Sequence, residues 1–235
     1  MNEHQMSDPT SDTPRRGVVY VAWGAAHVDV ARRSAASVKK SSPWLETAIF
    51  CAADDDTSGF DMSFVVPDGL VRPKVDLLWQ SPFDQTLFLD NDTIVRDDLQ
   101  SAFRLLEKYD MCGAHVILWH RPRHTKTWQT ELPDAFPEIN TGVLLFKKND
   151  KTTKFFKAWS ANFAQAGFKV DQVTFRETLW ASDLDFYVLP PQFNKRVYEL
   201  SEPIYSDQPR PRILHLNILR PQKSAFKRWL SNLIR

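Results

Sequence analysis

Apolar residues fall in short unbroken blocks, and between the blocks the pattern changes to one apolar position every three or four. Val18-Val19-Tyr20-Val21-Ala22, residues 47–52, residues 64–66 and Thr86-Leu87-Phe88-Leu89 are strand-sized runs without alternation, which is how strands read when both faces are covered. Residues 27–40 place Val28, Ala31, Ala35 and Val38 at helical spacing with Arg32, Arg33, Lys39 and Lys40 opposite, and Pro43 closes the segment. Helices are also predicted over 74–80 and 99–109, a strand over 111–118, and a proline-bearing loop over 121–137. Further on, strands are predicted at 142–147, 185–189 and 213–216 and helices near 151–166 and 171–180. Strand and helix alternating over one domain's length predict a single α/β domain with a mostly parallel central sheet flanked by helices. Ligands of such sheets bind beyond the carboxyl ends of the strands.

Composition narrows the partners. The 235 residues carry 30 Lys and Arg against 29 Asp and Glu, so a net charge of +1 gives no field to attract nucleic acid. The two cysteines, Cys51 and Cys112, lie in apolar runs, which fits buried thiols in a reducing compartment and excludes a disulfide framework. Residues 1–16 are polar, with Asp8, Pro9, Asp12 and Pro14, and read as a flexible tail without the apolar core of a secretory signal. No apolar run reaches the ~20 residues that span a bilayer, so a soluble, cytoplasmic protein is expected. Residues 221–235 read as a basic amphipathic helix with Phe226, Trp229, Leu230, Leu233 and Ile234 on one face. It could rest on the inner membrane face, as peripheral contact, or dock on the domain.

The sharpest chemical feature is Leu87-Phe88-Leu89-Asp90-Asn91-Asp92. A buried strand here ends in two carboxylates two positions apart, which in extended chain point the same way and can converge on one hard cation, Mg²⁺ or Mn²⁺. The competing reading is a solvated turn in which one Asp caps a helix. Among enzymes, such a pair after an apolar strand suits either a haloacid dehalogenase-like phosphatase or a metal-dependent sugar transferase. The phosphatase motif follows the first strand of its domain, whereas about three strands precede Asp90. Trp23-Gly24 after the first block could meet a base and ribose, and Arg72 and Lys74 could reach phosphates.

An ordered series of motifs extends this pair. Asn140-Thr141-Gly142-Val143 resembles an N-[ST/A]-G-V motif, Asp171-Gln172 a D-Q pair, Leu189-Pro190-Pro191-Gln192-Phe193-Asn194 an L-P-x-x-[FY]-N stretch, and His215 a late metal-binding histidine. In this order and spacing, 18–220 resembles the GT-A fold glycosyltransferases, nearest the retaining family of glycogenin and lipopolysaccharide galactosyltransferases. The resemblance implies a GT-A-like domain over 17–220 that transfers a hexosyl group from a nucleotide-sugar, UDP-linked by analogy, to a glycan, lipid-linked or protein hydroxyl. It implies that Asp90, Asp92 and His215 hold Mn²⁺ or Mg²⁺, that Trp23, Gly24, Arg72, Lys74, Asp90, Asn91, Gly142 and Arg220 meet the donor, and that Gln172, Asp171 and Asn140 serve catalysis at the sugar. The chain departs from the family at Ile218, where a glycine is usual. Asp171 or Glu177 is the candidate base should inversion operate instead. A non-catalytic nucleotide-sugar or glycan binding module is the alternative from outside enzymology.

Overall fold

A computed structural model describes residues 13–66, 69–117, 121–197, 210–216 and 219. Residues 1–12, Arg220 and the expected C-terminal helix at 221–235 lie outside the described residues. The elements in chain order are β1 (Arg16–Val21), α1 (Ala25–Ser41), β2 (Glu46–Cys51), β3 (Met62–Val65), α2 (Pro73–Leu77), β4 (Gln85–Leu89), β5 (Thr93–Val95), α3 (Gln100–Phe103), β6 (Met111–His115), β7 (Ile139–Lys147), α4 (Asp150–Ala166), α5 (Gln172–Trp180), β8 (Phe186–Val188), β9 (Lys195–Val197) and β10 (Ile213–Leu216). They form a seven-stranded sheet, β3-β2-β1-β4-β7-β6-β8, and a three-stranded sheet, β5-β10-β9. The large sheet is parallel from β3 to β4, β7 runs against both of its neighbours, and β8 is parallel to β6. The predicted single mixed α/β domain, mostly parallel and flanked by helices, is what the chain forms.

The unbroken apolar blocks are explained by this two-sided cover. Val18, Tyr20, Leu87 and Leu89 pack into one core with Val28, Ala31, Ala35 and Val38 of α1. Val19 and Phe88 face the other, with Phe155, Phe156 and Trp159 of α4 and Phe175 of α5. Each such fully buried side chain contributes about 1.5–3 kcal/mol relative to exposure, which is why residues 18–21 and 87–89 are apolar on both faces. Gly17 lies where a Cβ would come within 2.5 Å of the Phe83 ring carbons, so the close seat of that ring against β1 needs glycine.

Two expectations change. Arg15 bridges Glu46 and its N–H donates to Asp84 Oδ2, so order starts within the polar segment assigned to the tail. The helix expected over 99–109 is one short α turn followed by a 3-10 segment, Arg104–Glu107. Cys51 and Cys112 are free and buried, and burial pushes the Cys112 thiol up to about 12. Among the described residues, no helix is long and apolar enough to cross a membrane.

Candidate functional site

The carboxyl end of β4 delivers Asp90, whose N–H donates to Gly142 O at 2.7 Å on the antiparallel neighbour β7. The chain then turns into β5, and Thr93 fixes the turn by donating its hydroxyl to Asp90 O at 2.9 Å. β10 pairs with β5 in the register His215 opposite Thr93, and Leu216 N–H donates to Asp92 O at 2.6 Å. A strand more than 120 positions downstream, in the small sheet, is thereby clamped beside the acidic pair.

The cluster this makes is tight. His215 is fully buried, with Nε2 3.2 Å from Asp92 Oδ1 and 3.7 Å from Asp90 Oδ2. One ligand atom from each of the three residues lies within 4.8 Å of the others. His215 Nδ1 is 3.1 Å from Asn194 Oδ1, an amide acceptor, and this contact orients the ring with Nε2 toward the carboxylates. That Nε2 is buried and makes no hydrogen bond. Two carboxylates and an imidazole nitrogen around one point suit a divalent cation with mixed oxygen and nitrogen preference. Gly142 completes the cradle: a Cβ there would sit 2.5 Å from His215 Cε1 and 2.7 Å from Asp90 Oδ2. The space left open by this glycine is filled by the cluster itself, where a donor sugar was expected.

Beside it runs a second charge system. Lys74, only 8% exposed, lies 2.8 Å from Asp171 Oδ2 and 3.5 Å from Asp90 Oδ1, and donates to Thr141 Oγ1 at 3.1 Å. Arg72 Nε also reaches Asp171 Oδ2, at 3.2 Å, and Thr141 Oγ1 donates to Asp171 Oδ1 at 3.2 Å. Burial pushes the Asp171 carboxyl up, but the Lys74 and Arg72 charges outweigh it and hold the group below the ordinary carboxylate range. Asp171 is 2% exposed with both oxygens engaged, so its place is behind Lys74 and Arg72, aiming them, and not on the open wall where sugar hydroxyls were expected to meet it.

Trp23, Arg72, Lys74, Asp90, Asn91 and Asp92 line one cleft of about 460 Å³. Gly24 opens α1 at φ 78°, a left-handed conformation that favours glycine, and its N–H donates to Asp55 Oδ2. Asn140 directs its amide oxygen to Gly142 N–H at 3.0 Å, and Gln172 faces a separate cavity of about 300 Å³ with His124 and Glu138.

The sequence profile described as nucleotide-diphospho-sugar transferase matches residues 75–228, more than half of the chain. The chain belongs to the nucleotide-diphospho-sugar transferase family. No curated protein sequence matches it. Among solved structures, it is similar to the galactosyltransferase LgtC in complex with donor and acceptor sugar analogues, at a TM-score of 0.63 and 16% identity over 86% of this chain and 87% of that one. It is also similar to the glycosyltransferase GlyE of Streptococcus pneumoniae (0.58, 16%, 87% of this chain and 54% of that one). Mouse xyloside xylosyltransferase 1 gives 0.54 and 13%, over 88% of this chain and 99% of that one. These likenesses carry the GT-A glycosyltransferase fold, and the phosphatase alternative is set aside.

Several residues of this transferase's site were missed from sequence. Thr141 and Asn194 stood inside quoted motifs, yet neither was singled out, because a hydroxyl bridging Lys74 to Asp171 and an amide orienting His215 exist only after folding. Glu177, the reserve candidate for a base, accepts backbone N–H bonds from Trp128, Gln129 and Thr130. Its neighbour Arg176, 1% exposed, donates to the carbonyls of Phe136, Thr125 and Pro133. Together they fasten the long loop to α5, which removes Glu177 from proton chemistry.

Proposed function

We propose that this transferase moves a hexosyl group from a nucleotide diphosphate donor, a UDP-sugar, to a hydroxyl acceptor, with a divalent cation, Mn²⁺ ahead of Mg²⁺, and with retention at the anomeric carbon. The observation that carries the reading is the Asp90–Asp92–His215 cluster set at the end of β4 on the wall of the 460 Å³ cleft. A dication held there neutralises charge that builds on the departing diphosphate. The chain's own part is positioning. Asn194 orients the imidazole so that Nε2 faces the acidic pair, Gly142 leaves room for the cluster, and Arg72 and Lys74 bring cationic groups to the donor side of the cleft. Because Asp171 balances these two, they stay aimed before donor arrives, and little reorganisation remains for the moment of bond breaking. Trp23 offers an aromatic face at the same cleft for the base.

Retention is carried by the family resemblance and accords with the lack of an open carboxylate at Asp171 or Glu177 to act as base. The test is a panel of nucleotide-sugars with Mn²⁺, read by thermal shift and by release of nucleoside diphosphate. One donor is expected to raise the melting temperature only with the cation and to turn over. A panel in which no donor does either, with the protein folded, removes the reading, while binding without turnover favours the binding-module alternative.

A further inference from the structure

Beyond the carboxyl ends of β6 and β8 lies a chamber of about 660 Å³, larger than the donor cleft and more apolar in its lining. Its apolar walls include Val116, Ile117, Val188, Pro190 and Pro191, with Gln192 and Lys195 also on the lining. Ile117 and Val188 are 42% and 40% exposed, so part of this aliphatic surface faces water. The cluster touches both cavities: Asp90 and Asp92 line the cleft, and Asn194, which holds the His215 imidazole, lines the chamber.

Two wall residues also keep a polar atom without a hydrogen-bond partner. Asn194, 3% exposed, gives its Oδ1 to His215 and leaves Nδ2 unpaired. His115 Nδ1 is likewise buried without a hydrogen-bond partner. A hydroxyl can accept from the Asn194 amide and can also answer an imidazole nitrogen of either sense.

Resting on the transferase reading above, we infer that the chamber seats the acceptor, and that the acceptor is a hydroxyl compound bearing an aliphatic chain. The chain lies along Ile117, Val188 and the two prolines, and the hydroxyl end turns toward Asn194 and the cluster. A purely polar glycan leaves these walls wet and gains nothing from them.

The probes are n-alkyl glucosides of increasing chain length, kept below micelle formation, with binding measured by calorimetry on the full chain. Affinity is expected to rise about twofold to fourfold per methylene. The double variant Ile117→Asp, Val188→Asp, checked for a native melting curve, is expected to flatten that rise. As a readout independent of any variant, a glucoside with a photoreactive alkyl terminus is expected to label the wild-type peptides around 115–117 and 186–191. A flat series in wild type that still binds a nucleotide-sugar overturns the chamber assignment alone, as does a slope the double variant leaves intact or labelling confined elsewhere. A clear slope in a protein that binds no nucleotide-sugar overturns the donor reading and the acceptor role with it.

Discussion

Two groups of buried charge sit at opposite ends of the central sheet, and they differ in what is left over. At the end where β6 begins, Asp110 is 4% exposed and fully answered: Asn149 Nδ2 donates to Oδ1 at 2.8 Å, Asp185 N–H to Oδ2 at 3.1 Å, and Lys147 and Lys151 stand at 3.3 and 3.5 Å. Asn149 also caps α4 by accepting Thr152 N–H, so one residue ties the helix to the strand. At the other end, Asp90 and Asp92 meet an imidazole nitrogen with no hydrogen bond, on the wall of a cleft. Burial of carboxylates is common to both. What separates a knot from a site is the convergence of two carboxylates and an imidazole nitrogen on one point at the wall of a cleft, where a cation can enter.

That contrast breaks most sharply at Asp92. Asp92→Asn is expected to abolish Mn²⁺-dependent donor binding in calorimetry and to lower transfer by roughly 100- to 1000-fold, while the melting temperature holds or rises because one of two neighbouring like charges is gone. Retained affinity would put Asp92 in the same category as Asp110. One step out, Asn194→Ala frees the His215 ring to take either tautomer, and cation affinity is expected to fall about 10- to 100-fold. Asn194→Asp, which still accepts the Nδ1–H, should recover most of it; a recovery absent from competition titrations with a metal chelator argues against the orienting role.

The mirror experiment is at the knot. Asp110→Asn turns an amide toward donors that need an acceptor, and stability is expected to drop by about 1–3 kcal/mol in urea unfolding. Donor affinity should stay where it was. A change in affinity without a change in stability would mean that the far end of the sheet takes part in binding.

How much of this could be read from letters alone depends on whether a feature is local. β1, β2, β4 and α1 were legible because each buries a continuous block or one helical stripe, and the acidic pair was legible because it directly follows such a block. β5 and β9 were not: each has three residues and is a strand only by virtue of pairing with β10, although the β-branched Thr93-Ile94-Val95 carried a faint signal. Lys74 looked like a basic residue beside Arg72, and nothing nearby announces burial against Asp171, a partner 99 positions from Arg72. Gln172 was placed by motif at the reacting sugar, but the turn from Asp171 into α5 sends it to the cavity shared with His124. Motif order identified the family; which face each motif residue presents was decided by strand pairing.

Acidity offers the mildest test of whether the two ends are independent. Asp171 and Asp110 are both held below the ordinary carboxylate range, in each case by cations and hydrogen bonds that outweigh burial. A carboxyl depressed by folding stabilises the native state above its unfolded value, about 3.9 for Asp. That contribution disappears as pH falls through the folded value, so urea midpoints should be level near neutrality and decline in acid. Lys74→Met takes away the nearest cation facing Asp171, lets that carboxyl climb, and is expected to shift the decline to higher pH. Asp110→Asn removes a group that resists protonation and is expected to make the decline shallower. With the groups at opposite ends of the sheet and no shared partner, the double variant should show the sum of the two changes. A double variant that departs from the sum would show charge at the knot being felt at the cleft, and the distinction between the two ends would then be one of degree.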